Sequence, residues 1–256
     1  MNRAAVASFQ EEQYNFPYHW LPEVMPDGGF SVGRCLRWGL EYITCMDAVA
    51  RHSRLLAPRS LLDVGCGDGR LADFLKGADL KYRGIDLSES AINLARSLNA
   101  QGDYRAADLA GLNELHDVIA LVEVLEHIPD PDIAAFLDSI NRLTRVGGRL
   151  LVSVPTSNRP VNRKHFRHYD LALLRSQLSM GGFEIEKSQP LFRIGPLSTF
   201  FERLCSNRFF TLNPSIVTKA IWRLHSAFTY RADEGNAAHL FVQARKTRDG
   251  GKRAMV

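Results

Sequence analysis

The chain has 256 residues, 45% of them hydrophobic, which suits one large α/β domain with additions and leaves no room for a second full domain. Lys and Arg number 32 against 28 Asp and Glu, and a net charge of +4 does not by itself point to nucleic acid. No stretch approaches the roughly twenty apolar residues of a membrane span. Cys35, Cys45, Cys66 and Cys205 lack paired metal spacing, and no N-terminal apolar run precedes a cleavage site, so a reduced, cytoplasmic protein is expected. Met1 to Gln10 carry no pattern. Tyr14, Phe16, Tyr18, His19 and Trp20 then place five rings in seven positions. Residues 1–31 are therefore expected to form an arm whose rings either cover a core edge or make a lid, with Tyr18 and Trp20 facing a substrate. From about Val32 to Leu55, Leu36, Leu40, Ile43, Met46 and Val49 recur at mostly helical spacing and predict a helix.

Leu61 to Arg70, LLDVGCGDGR, organise the rest of the chain. Leu61, Leu62 and Val64 read as a buried parallel strand, and Gly65, Gly67 and Gly69 as a turn into an amphipathic segment with Leu71, Phe74 and Leu75. Glycine suits such a loop because the backbone needs unusual angles and close approach to a ligand, and a helix N-terminus beyond it offers free N–H groups. A second strand, Tyr82 to Asp86, ends in an acid 21 residues after Gly65 (86 − 65), near the spacing at which a carboxylate meets ribose hydroxyls. Ser88 is expected to cap the next helix. A third strand, Tyr104 to Ala106, is followed by Asp108, so Asp63, Asp86 and Asp108 are expected to border one crevice at the carboxyl ends of a parallel sheet.

These motifs, with YRAADL, DVIALVEVLEHIPDP and GGRLLVSVP in this order, resemble those of the class I S-adenosylmethionine-dependent methyltransferases over about Ser60 to Gln189. The resemblance implies a Rossmann-like, doubly wound α/β fold of seven strands, mostly parallel with an antiparallel last strand. It also implies S-adenosylmethionine as cofactor, with the loop around Asp63, Gly65, Cys66, Gly67 and Gly69 on its methionine part and Asp86 on the ribose. Leu87 would then pack on the adenine, Asp108 and Leu109 would address its edge, and Glu123 would add a further contact. The GxGxG spacing gives weaker support to a dinucleotide pyrophosphate, and no basic residue directly follows Asp86 to hold a 2′-phosphate.

Val118 to Val122 predict a fourth strand, with EVLEHI just past its carboxyl end. Glu123, Glu126 and His127 stand at i, i+3 and i+4 and share a face if that piece is helical. Three readings stay open: a structural turn, His127 as general base, or a divalent metal site of Glu123, Glu126, His127 and His168. The E-x-x-E-H pattern is similar to that of ubiquinone-biosynthesis-type O-methyltransferases and of small-RNA ribose 2′-O-methyltransferases, in which metal ligation is known. Asp130 and Pro131 are expected to open a helix that Gly147 and Gly148 close, followed by a fifth strand from Arg149 to Val154. The basic loop after it is read as substrate contact, through Arg163, His165 and His168. A helix over Leu171 to Met180 and a sixth strand from Phe183 complete a core of residues 32–189.

Residues 190–232 are read as a helical aromatic insert, either core cover or substrate lid, with peripheral membrane contact as a third possibility. Residues 233–246 hold a closing strand, and 247–256 a disordered tail. The expected function is transfer of a methyl group to a small-molecule oxygen with His127 as base and no metal. The alternatives are an RNA ribose methyltransferase with a Glu/His metal site, a non-catalytic cofactor-binding protein and, more weakly, a nicotinamide oxidoreductase.

Overall fold

The computed structural model describes residues 23–24, 30–31, 36–205 and 215–247; Tyr18, Trp20 and the expected tail lie outside the described residues. A two-stranded antiparallel pair, β1 (Glu23–Val24) and β2 (Phe30–Ser31), precedes α1 (Leu36–Leu56). Helix α1 stops where Ala57 turns left-handed, at φ 45, immediately before Pro58.

The main sheet comprises β3 (Ser60–Val64), β4 (Lys81–Asp86), β5 (Asp103–Ala106), β6 (His116–Val122), β7 (Thr144–Pro155), β8 (Phe183–Arg193) and β9 (Ala237–Lys246). Its seven strands run in the order β5-β4-β3-β6-β7-β9-β8. The first five are parallel, and β9 is antiparallel to both β7 and β8. Successive residues of the central strands face opposite layers. Leu62, Val64, Ile119 and Leu121 pack with α4 (Ile133–Leu143) and α5 (Leu171–Met180), whereas Leu61, Val118 and Ala120 pack with Cys45, Met46 and Val49 of α1. Burial on both faces is why these strands are unbroken apolar runs. Two shorter helices, α2 (Arg70–Phe74) and α3 (Glu89–Leu98), follow β3 and β4. Ser88 caps α3 by accepting from the Ala91 N–H at 3.1 Å.

Three boundaries differ from the sequence reading. Asp130 and Pro131 sit in a 3-10 turn, and α4 starts only at Ile133. Gly147 and Gly148 do not end that helix: Thr144 already begins β7, and the glycines lie at a register shift in its pairing with β6. Strand β8 continues to Arg193, past the expected core boundary at 189, because β9 supplies a partner as far as Arg193↔Ala237.

Between β8 and β9 lie α6 (Pro196–Cys205) and α7 (Ser215–Thr229). Ile221 of α7 packs with Leu40, Ile43, Phe192 and Ala238, so one face of the insert covers the core. After α7, Tyr230 donates to Asp47 of α1 at 2.5 Å, with Arg51 stacked 3.9 Å over its ring. Among the described residues no helix is long and apolar enough to cross a membrane.

Candidate active site

The carboxyl ends of β3, β4, β5 and β6 bring most of the predicted residues to one edge. Gly65, Gly67 and Gly69 all have positive φ, at 71, 53 and 75. A Cβ on Gly65 would also stand 2.7 Å from Cγ2 of Val124, so the turn requires glycine twice over. The Gly65 and Cys66 N–H groups donate to the Ile85 carbonyl at 2.8 and 2.9 Å, which ties the loop to β4.

Asp86 ends β4 and accepts from the Gly67 N–H at 3.0 Å and the Ser88 N–H at 2.9 Å. Leu87 beside it is 78% exposed, an apolar side chain at the crevice edge. Asp108 is exposed and caps a 3-10 turn through the Ala110 N–H at 3.1 Å, while Leu109 is buried behind it. Asp63 points inward instead. It is only 2% exposed, accepts from the Tyr82 hydroxyl at 2.7 Å, and is pushed up to about 7 by burial and then by the charges of Asp86 and Asp68. The expectation that all three acids border the crevice holds for Asp86 and Asp108; Asp63 lies beneath it.

The EVLEH piece is a 3-10 turn, Leu125–His127, entered through Glu123 at φ 57. Its three polar side chains therefore divide into two groups. Glu126 is wholly buried, and neither carboxylate oxygen has a hydrogen-bond partner among the described residues. Burial, reinforced by the charge of Glu123, pushes its carboxyl well above the ordinary range. His127 Nδ1 lies 2.9 Å from the Lys164 carbonyl, so that nitrogen carries the proton and Nε2 keeps a free lone pair. Nε2 lies 3.8 Å from Glu126 Oε1, and the His165 ring meets the His127 ring edge-on at 4.8 Å between centroids. Burial lowers the affinity of His127 for a second proton, so the ring is neutral near neutral pH.

His168 does not join this group, contrary to the four-ligand expectation. Its Nδ1 faces the Arg159 carbonyl at 2.9 Å and its Nε2 faces His165 Nδ1 at 2.8 Å, which occupies both nitrogens. His165 takes the place assigned to His168: Glu126, His127 and His165 each offer a ligand atom within 4.8 Å of the others. Burial, then the neighbouring histidines, depress His165 to about 3. Arg163 is exposed on the same loop. Arg167 pairs with Asp130, its Nε donating at 2.8 Å.

Glu123 turns the other way, toward α1 and β9. Its Oε1 accepts from Ser153 Oγ at 2.9 Å and lies 3.8 Å from Cys45 Sγ, and its Oε2 is 3.0 Å from His239 Nδ1. On the far side of that ring Glu41 is 3.5 Å from His239 Nε2, and both Glu41 oxygens accept from Arg159 at 2.7 Å. The sequence reading did not single out Glu41, Cys45 or His239. The legible signal was polarity out of place: an acid on the apolar face of a core helix, and a histidine within the apolar run of the closing strand.

The sequence pattern of the methyltransferase-domain family matches residues 40–185, more than half of the chain. The chain belongs to the class I S-adenosylmethionine-dependent methyltransferases. Among relatives of this methyltransferase, a probable S-adenosylmethionine-dependent methyltransferase of Mycolicibacterium smegmatis is 32% identical over 152 residues, 56% of this chain and 58% of that one. A ubiquinone biosynthesis O-methyltransferase of Thiobacillus denitrificans is 38% identical over 111 residues, 40% of this chain and 47% of that one. The chain thus spans about half the length of these curated relatives. Among solved structures, the 1,6-didemethyltoxoflavin-N1-methyltransferase of Burkholderia thailandensis, with its acceptor and S-adenosylhomocysteine bound, superposes with a TM-score of 0.59 at 19% identity. That likeness covers 97% of this chain and 92% of that one, and it shows the fold.

Proposed function

We propose that the protein moves the methyl group of S-adenosylmethionine to an oxygen of a small-molecule acceptor, with His127 as general base. The observation that carries this reading is His127 itself, neutral and held through Nδ1 by the Lys164 carbonyl, which leaves Nε2 as the nitrogen able to accept a proton. The cofactor fits the residues present. Leu87, exposed beside Asp86, would offer an apolar surface to the adenine ring, the Asp86 carboxylate would accept from the ribose hydroxyls, and the exposed Asp108 would accept from the adenine amino group. The sulfonium supplies an already activated methyl group. The protein's share is therefore to align the acceptor, exclude water and receive the hydroxyl proton at His127 Nε2 as the oxygen–carbon bond forms. The names of the O-methyltransferase relatives support oxygen as the acceptor atom.

A second reading has its own observation, the unpartnered Glu126 carboxylate facing His127 and His165. Two imidazoles and one carboxylate suit zinc, manganese or iron better than magnesium. Either a proton on Glu126 or a cation satisfies the site. Turnover of a panel of small hydroxyl-bearing acceptors, followed by S-adenosylhomocysteine formation with and without excess chelator, decides between them. Activity that survives the chelator is expected. Loss that one divalent ion restores would replace the base by a metal, and S-adenosylhomocysteine binding without turnover on any acceptor would remove the transferase reading.

A further inference from the structure

We propose that Cys45, Glu123 and His239 form a zinc-type divalent metal site, separate from the Glu126–His127–His165 group, that clasps α1, β6 and β9 together. Each of the three offers one ligand atom, and these atoms lie within 4.8 Å of one another. The donors are a sulfur, an oxygen and a nitrogen, a set that selects a borderline-soft ion over magnesium or calcium. With metal–ligand bonds of about 2.0 to 2.3 Å, neighbouring ligand atoms of a tetrahedral site stand about 3.3 to 3.6 Å apart. Glu123 reaches both partners, its Oε2 lying 3.0 Å from His239 Nδ1 and its Oε1 3.8 Å from Cys45 Sγ.

His239 is 8% exposed and its two ring nitrogens face two carboxylates, Nδ1 at 3.0 Å from Glu123 and Nε2 at 3.5 Å from Glu41. A metal on Nδ1 would sit between the ring and Glu123 and leave Nε2 to Glu41, the arrangement in which a carboxylate orients a metal-bound imidazole.

Glu41 and Arg159 stay paired on the outer side of the His239 ring and fix its orientation.

The test does not depend on the transferase reading. The full-length protein, stripped with chelator, is titrated with cobalt(II) and followed by absorption. A thiolate-to-cobalt charge-transfer band that saturates at one equivalent is expected, together with a melting temperature raised by zinc. Cys45→Ser should abolish the band, His239→Gln should weaken cobalt binding at least tenfold, and Glu126→Gln should leave the band in place. No thiolate band in the wild type, or a band of full strength in Cys45→Ser, overturns the proposal. Because Cys45→Ser changes a single atom in a packed helix, its melting curve without metal checks folding, and failure of zinc to stabilise even the wild type also counts against the site.

Discussion

At the scale of single residues, the chemistry rests on where protons sit. His127 gives its Nδ1 proton to a carbonyl, so its remaining nitrogen has one task, and burial keeps it unprotonated to a lower pH than an ordinary imidazole. His127→Ala should lower kcat about a hundredfold or more, the usual loss for a general base. The wild-type rate should hold as pH falls through the ordinary imidazole range and decline only below it; a decline centred at or above that range would assign the base elsewhere. Asp63 carries the opposite shift. Its carboxyl rises from 3.8 to about 7, so the folded protein holds a proton that the unfolded chain releases. That contribution to stability is full below the unfolded value and is lost as pH rises through about 7, on the order of 4 kcal/mol at most over the range. Asp63→Asn keeps an acceptor for the Tyr82 hydroxyl without the charge. Thermal melts should move in the variant's favour between pH 5 and pH 8, and no change in the difference from wild type would refute the buried-proton account.

At the scale of elements, the glycine loop and the β4 end act as one unit, because Asp86 holds the Gly67 N–H as well as facing the crevice. Asp86→Ala should weaken S-adenosylhomocysteine binding roughly tenfold to a hundredfold, equivalent to about 1.5 to 3 kcal/mol for lost charge-assisted bonds. Unchanged affinity by calorimetry would remove Asp86 from the cofactor site. This unit was legible in the sequence because all its parts lie within one stretch, strand, loop, strand and acid, whose spacing the backbone itself imposes. The EVLEH turn was legible only in position. Helical spacing put Glu123 with Glu126 and His127, but with a left-handed backbone at Glu123 its carboxylate pairs with Ser153 and His239 instead, while its charge still acts on Glu126. A reversal of that kind, in a residue other than glycine, leaves no mark in residue type. Residues 45 and 239 meet only through the sheet order, which periodicity does not encode.

At the scale of the whole molecule, the helical insert joins parts that are distant in the chain. Trp222 packs at the edge of the cluster of Leu40, Phe192 and Ile221, and Tyr230 reaches Asp47, so α7 sits against both α1 and β8. Leu197, Phe200, Ile216, Leu224 and Phe228 of the two insert helices are exposed. If the insert also covers the acceptor, Trp222→Ala should raise the acceptor KM and leave cofactor affinity nearly intact. Wild-type values for both would make the insert purely structural. Its existence was readable from an aromatic, basic stretch between two strands, whereas its partners were not, since they depend on which strand lies next to which.

The sheet order also sets a timetable for synthesis. Strand β8 leaves the ribosome before β9, yet among the described residues its only partner in the sheet is β9, and 43 residues separate Arg193 from Ala237. Until that later segment arrives, a nascent chain carries one strand with no neighbour and a second, β7, with an open edge. Unpaired edges of this sort recruit other strands. A polypeptide arrested anywhere in the insert would therefore be prone to aggregation and open to proteases, and the sheet closes only once translation has passed β9.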